Sequence, residues 1–188
     1  MSGDGYHHGN LRRAVLDAAI EAIAEAGPAT WSLRELARRA GVSHAAPAHH
    51  FGDKAGVLTA VAAEGYTLFA DALEAAGSDL HGVGLAYVRF AVEHRVHFEV
   101  MFAPALYRPD DPEVAAARDR AGRALAEGVR GAAPGRAAGD RTAGIAAWSI
   151  VHGFAHLWLS GALRDLGDDP VKAADPVIRL LFERPGSA

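Results

Sequence analysis

Of the 188 residues, half are hydrophobic, 22% are charged, none is cysteine, and the formal net charge is −4. That length and apolar share suit one large domain or two small ones sharing a core, and they exclude disorder as the default state. Without cysteine there is no disulfide, no thiol nucleophile and no thiolate metal site. No apolar run approaches the roughly 18 residues that a membrane span needs. The opening MSGDGYHHGN lacks the features of a signal peptide, so a cytoplasmic chain without membrane association is expected. Charge alone does not point to nucleic acid. Residues 1–60 carry six Lys and Arg against six Asp and Glu, so the negative excess lies in residues 61–188.

Tyr6–Asn10 (YHHGN) form a short polar arm. With Arg12 and Arg13 it either reaches a phosphate or the minor groove, or is a frayed end that touches nothing. A first helix is expected over residues 10–26, with Leu11, Val15, Leu16, Ala19, Ile20 and Ile23 inward and Gly27-Pro28 ending it. Trp31 is placed as an apolar staple for the second helix. Ser32 can cap that helix, and Glu35 can close a capping box onto it. Leu33, Leu36, Ala37 and Ala40 recur at helical spacing and leave Arg34, Arg38 and Arg39 largely outside the stripe. Gly41 stands where a helix takes a left-handed residue after its C-cap, Val42 can plug the corner, and Ser43 is read as a second N-cap. The third helix, residues 44–50, is about two turns long and almost lacks large apolar residues. Such a helix does not fill a core; it is presented. A helix–turn–helix with a small-residue, polar second helix is the geometry that enters a DNA major groove.

The run Leu33-Arg34-Glu35-Leu36-Ala37-Arg38-Arg39-Ala40-Gly41-Val42-Ser43, followed by His50-Phe51, Lys54 and Leu58, resembles the TetR/AcrR family of bacterial transcriptional regulators. The resemblance covers residues 6–69 without gaps. It implies operator binding by residues 6–55 and a helical ligand-binding and dimerisation domain over residues 56–183. It also implies an unidentified small-molecule effector and a homodimer packed through helices 8 and 9. Carried onto this chain, the DNA-binding residues are Arg34, Ser43, His44, Ala45, Pro47, His49, His50 and Lys54. Lys54 has a physical argument of its own: a cation in a helix's first turn opposes the macrodipole, and a phosphate held there would reverse the sign. The family usually carries a phosphate-touching tyrosine two places before the His-Phe pair; this chain has Ala48 and lacks that contact.

A long fourth helix is expected over residues 54–76, with Val57, Leu58, Val61, Leu68, Phe69, Ala72 and Leu73 as its stripe. Further helices are expected over residues 79–93, 95–102, 113–131 and 141–164. The Pro- and Asp-rich loop PALYRPDDPE lies between the sixth and seventh, and AAPGRAAGD, residues 132–140, is a linker. Asp175 before Pro176 reads as the cap and first position of a ninth helix ending near residue 182. No segment has the β period, so the fold class is all-α.

His152 and His156 share one helical face at i, i+4, and His94 and His97 do so at i, i+3. One reading is a metal site drawing on His94, His152 and His156; the other is polar lining of a pocket. Tyr87, Phe90, His94, Phe98, Met101 and Phe102, with Trp148 and His152, make the mixture of aromatics and orienting polar groups that a small-molecule pocket uses. The run Trp148–Gly153 also resembles the Trp-His-Gly type of C-terminal domain found in one subgroup of the family. There is no G-x-S-x-G and no phosphate-binding glycine loop, and the adjacent Asp110-Asp111 reads as a solvated pair. No catalytic residue, cofactor or metal is assigned. The expectation is a ligand-responsive DNA-binding regulator, a repressor. Two rivals stand beside it: a small His-based metalloenzyme, and a dimeric interaction protein that has lost DNA binding.

Overall fold

Nine α-helices make up the regular structure of the described residues: α1 (Asp4–Ala26), α2 (Leu33–Arg39), α3 (Ala46–Phe51), α4 (Lys54–Ala75), α5 (Leu80–Glu93), α6 (Arg95–Met101), α7 (Pro112–Ala132), α8 (Arg141–Leu159) and α9 (Pro170–Phe182). Single 3-10 turns occupy Pro104–Leu106 and Arg164–Leu166. The computed structural model describes the backbone of residues 4–132 and 141–182 and the side chains of 11–130 and 141–180. The all-α fold expected from periodicity is the fold observed. The first helix begins at Asp4 rather than near residue 10. Contacts expected of the Tyr6–Asn10 side chains, and the linker at residues 133–140, lie outside the described residues.

Local chemistry sets the helix–turn–helix. The Ser32 hydroxyl accepts from the Glu35 N–H at 3.2 Å, one half of the expected capping box. The other half is diverted: the Glu35 carboxylate accepts from Arg39 at 3.0 and 2.8 Å. Arg39 also reaches Glu25 at 2.9 and 2.6 Å and so ties α2 to α1. Gly41 adopts φ +65°; its N–H reaches the Arg38 carbonyl at 3.3 Å, and the Val42 N–H reaches Ala37 at 3.0 Å. This pair of bonds closes α2 on a left-handed residue, the conformation glycine adopts without steric cost.

The start of α3 differs from expectation. Ser43 does not cap it with its side chain; residues 43–45 form a turn in which the Ala46 N–H donates to the Ser43 carbonyl at 3.0 Å. The reason is Pro47. A helix begun at residue 44 would need a bond from residue 47 to the Ser43 carbonyl, and proline has no N–H. The ladder opens two steps later, from the His49 N–H to Ala45 at 2.9 Å.

Two compact units are present. One comprises Met1–Tyr66 and Val96–Ala116, the other Thr67–Arg95 and Ala117–Ala188. In the first, Val15, Leu16, Ile23, Leu36, Val57, Leu58 and Val61 are buried, as are Phe98 and Met101 of α6. Gly65 allows α4 and α6 to approach closely: a Cβ there would lie 2.7 Å from the Met101 sulfur and 3.0 Å from His97 Cβ. The hydroxyls of Tyr66 and Tyr107 both donate to the Met101 carbonyl, at 3.2 and 3.0 Å. Glu64 accepts from Arg13 of α1 at 2.5 Å and lies 3.2 Å from His97 Nε2 of α6. These ties draw residues 96–116 into the same body as the helix–turn–helix.

In the second unit α5 packs against α8 and α9. Phe69, Leu73, Val83, Tyr87, Val88 and Ile178 are buried there. Two C-terminal expectations are corrected. The eighth helix ends at Leu159, not residue 164, because Gly161 at φ +78° closes it with bonds to Trp158 and, from Ala162, to Leu157. The ninth begins at Pro170 and is capped by Asp169, whose carboxylate accepts from the Val171 and Lys172 N–H groups, both at 3.1 Å. The stretch after Gly161 has two Asp-Pro pairs, and the helix starts on the earlier one. Pro176 sits inside the helix, and Asp175 forms an ion pair with Arg179 at 2.9 Å and lies 2.9 Å from His81 Nε2.

Candidate functional site

The presented face of the first unit combines the exposed residues of the α2–α3 segment. Arg34 lies exposed in the first turn of α2, Ser43, His44 and Ala45 are exposed in the turn before α3, and Ala48 and His49 are exposed along α3. His50 is half-buried, with its ring 5.3 Å from His49 and 6.4 Å from Phe51. Pro47 does not belong to that face: it is buried with Ala46 and Phe51, on the inward side of α3. Arg38, one turn beyond Arg34 and also exposed, belongs beside it. Sequence reading left it out of the site, although its i, i+4 spacing from Arg34 was the available signal.

Lys54 has an unexpected duty. Its ammonium donates to the carbonyls of Ala29 at 2.7 Å and Trp31 at 3.0 Å, and stands 4.5 Å from the Trp31 ring centroid. The cation ties the α1–α2 loop to the start of α4. An ammonium has three donors, so one is left for a phosphate. Asp53 completes the corner: its Oδ1 accepts from the Gly56 N–H at 2.8 Å, and Arg108 donates to both its oxygens at 3.0 and 2.8 Å. The Gly56 N–H, and after it the Arg108 guanidinium, hold the Asp53 carboxyl below the usual carboxylate range.

The expected ligand-binding residues fall into two sets. In the second unit Tyr87 and Phe90 are fully buried against Phe69, with ring centroids 5.0 and 4.9 Å away. His94 caps the C-terminus of α5, half-buried, its ring 5.1 Å from Phe90. Across to α8, the Trp148 indole N–H donates to the Tyr87 hydroxyl at 3.0 Å, and that hydroxyl lies 2.8 Å from His152 Nδ1. His156 stands one turn on, 4.5 Å from His152 between centroids. Burial, then the neighbouring His156 charge, pushes the His152 imidazole below its ordinary value. Phe98 and Met101 are buried and Phe102 half-buried in the first unit, Phe102 5.0 Å from Phe98. Among the described residues no three His, Asp or Glu side chains converge in a way that could hold a metal ion, so His94, His152 and His156 do not form the metal site weighed above.

Two family models match this chain. Residues 15–61 match the model described as bacterial regulatory proteins, tetR family, and residues 80–181 match the tetracyclin repressor-like C-terminal domain. The second alone spans more than half of the 188 residues. The chain belongs to the TetR family. Its helix–turn–helix is the DNA-binding head of a transcriptional regulator. A solved structure of a protein of unknown function from Rhodococcus sp. RHA1 is 31% identical, covers 96% of this chain and 97% of its own, and superposes with a TM-score of 0.75. The HTH-type transcriptional regulator BetI of Escherichia coli is 47% identical over 49 residues, which is 26% of this chain and 25% of BetI. That likeness therefore spans only a quarter of the relative. SmeT, solved as a complex with triclosan, shares the fold at 24% identity and a TM-score of 0.62, covering 95% of this chain and 97% of its own. Among the described residues of this TetR-family chain, no helix is long and apolar enough to cross a membrane.

Proposed function

We propose that this TetR-family regulator is a cytoplasmic homodimeric repressor that leaves its operator when a small molecule binds the C-terminal half. The observation that carries the reading is the α2–α3 corner. Its two helices are closed on Gly41, its inward side is Pro47 and Phe51, and its outward side is Arg34, Ser43, His44, Ala45 and His49. Arg34, His49 and Lys54 are assigned to phosphate, which positions without reading sequence, and His44 to the groove.

Dimerisation is assigned to α8 and α9. Ile145, Trp148 and Leu157 on α8 and Leu180 on α9 are large apolar side chains left 42–77% exposed, a pattern that marks a surface awaiting a partner. A symmetric dimer reads a symmetric operator, with half-sites about 34–36 Å apart. The effector site is assigned to the second unit, to Tyr87, Phe90, His94, Trp148 and His152, with the Tyr87–Trp148–His152 hydrogen bonds as its polar element. A fold relative, SmeT, carries triclosan in its complex, which supports a small aromatic effector here. Release follows if the effector favours a state in which the two heads no longer match the half-site spacing.

Sedimentation equilibrium and DNA retardation on one preparation test this reading. The expected result is a dimer at micromolar concentration that retards a fragment from its own upstream region and lets go when a hydrophobic aromatic compound is titrated in. A monomer that retards nothing would point to the interaction-protein alternative.

A further inference from the structure

A cation outside the helix–turn–helix sequence is bound to the corner between α3 and α4. Arg108 follows the 3-10 turn Pro104–Leu106, and two contacts pin the backbone leading into it. Tyr107 is buried with its hydroxyl on the Met101 carbonyl, and the Arg108 N–H donates at 3.0 Å to the hydroxyl of buried Thr59. Thr59 in turn donates to the Ala55 carbonyl at 2.7 Å. From this base the guanidinium extends along the first turn of α4 to both oxygens of Asp53, at 2.8 and 3.0 Å. Gly56 leaves room for it, since a Cβ there would lie 3.0 Å from Arg108 Nη1.

The chemistry of that corner explains why a cation is held there. Position 53 needs an acceptor, because its side chain caps α4 through the Gly56 N–H. The acceptor in this chain is a carboxylate, 61% exposed, two residues beyond α3 and next to Lys54. An uncompensated negative charge at the rim of a DNA-binding face repels phosphate. The ion pair itself is surface-exposed on both sides, 51% and 61%, and such pairs contribute little to stability. Two buried anchors nevertheless hold it in place.

We propose that Arg108 is a positioning residue for DNA binding, acting through Asp53: it neutralises the cap carboxylate of α4 and fixes the corner that carries α3. It does not touch DNA. Arg108 lies 55 residues from its partner and in the segment joining α6 to α7, so the head is completed by a residue from the middle of the chain.

A double-mutant cycle decides it, using a duplex that the wild-type protein itself selects from a random-sequence library. Arg108→Ala should weaken binding about three- to tenfold with little change in melting temperature. Asp53→Asn keeps the helix cap, since asparagine caps as well as aspartate, and removes the charge. In that background Arg108→Ala should cost less than about twofold, because there is no carboxylate left to neutralise. If Arg108→Ala melts well below wild type, Arg108→Met, which keeps the aliphatic stem, takes its place in the cycle. An equal loss in both backgrounds would mean that Arg108 meets phosphate directly and overturns the proposal, as would no loss in the wild-type background. If the wild-type protein selects no duplex, the DNA-binding reading fails and this inference fails with it.

Discussion

The Tyr87 hydroxyl lies 2.8 Å from His152 Nδ1 while accepting from Trp148 Nε1 at 3.0 Å, so one oxygen on α5 joins two successive turns of α8. We predict that the Tyr87 hydrogen goes to Nδ1, one of the two roles a hydroxyl allows beside the indole donor, which leaves the neutral imidazole's own hydrogen on Nε2. Nitrogen chemical shifts of the His152 ring should report that tautomer at pH 8. A ring protonated on Nδ1 would contradict the arrangement.

The same ring gives a pH dependence of stability. Burial and then His156 lower the His152 value in the folded chain. Below about pH 6.5, the ordinary imidazole value, the unfolded chain takes up a proton that the folded ring resists. Stability present above that value is therefore lost as pH falls through it, until the folded value is passed. The depressed carboxylates Glu25, Asp53, Glu74, Asp169 and Asp175 act only below about pH 4–4.5, outside this window. Between pH 7.5 and 5.5 the melting temperature of wild type should fall, and that of His152→Gln should fall less. Parallel curves would remove His152 from the account.

Lys54→Ala should act on folding as well as on DNA. It removes two hydrogen bonds to Ala29 and Trp31 and a cation–π contact. Charged hydrogen bonds of this kind make a loss of about 1–3 kcal/mol in unfolding free energy the expected size. Binding to operator and to random DNA should weaken by similar factors, as for a phosphate contact. Denaturant melts and retardation assays measure both. Unchanged stability would mean the loop does not depend on this lysine.

Gly56→Ala should be among the most damaging single changes. A Cβ at this position would sit 1.8 Å from the Phe51 carbonyl oxygen, a backbone atom that cannot swing away. The strain falls on the α3–α4 corner, so a loss of about 2 kcal/mol or more and of DNA binding is expected. A variant that melts and binds like wild type would show that α4 can shift at no cost.

His49 and His44 are exposed on the presented face, and Ala48 stands where the family resemblance implies a phosphate-touching aromatic. An imidazole that meets a phosphate takes up a proton on binding, since the phosphate favours its charged form. Operator affinity should therefore rise from pH 8 to pH 6 at fixed ionic strength, and His49→Gln should flatten that rise. An unchanged pH dependence in the variant would assign the contact elsewhere. Ala48→Tyr should tighten binding if the missing aromatic is a true deficit.

What the sequence carried well was local. The Ser32 cap, the Gly41 closure and the Leu36 stripe all act within four residues, and each was readable from spacing. Pro47 shows the limit of that reading even at short range: it was placed among the DNA-binding residues, and neither the shift of the helix start nor the inward side of its ring was drawn from its missing N–H. Asp169 and Asp175 carry the same Asp-Pro signal, and only packing of α9 against α5 distinguishes them. The Lys54–Trp31 and Arg108–Asp53 ties join residues 23 and 55 positions apart. No periodicity encodes such partners, so the lysine read as a free phosphate ligand and the arginine was not singled out at all.

The central claim is that two copies of this chain read a symmetric operator through the α2–α3 face. Sequencing the fragments that purified protein retains from sheared genomic DNA tests it most directly. The account predicts strong enrichment of one pseudo-palindromic motif whose half-sites are centred about 10 base pairs, or a multiple of one turn, apart. Enrichment should be lost in a His44→Ala, His49→Ala double variant that still melts like wild type. Retention of fragments no different from the input, or of a motif without two-fold symmetry, would contradict it.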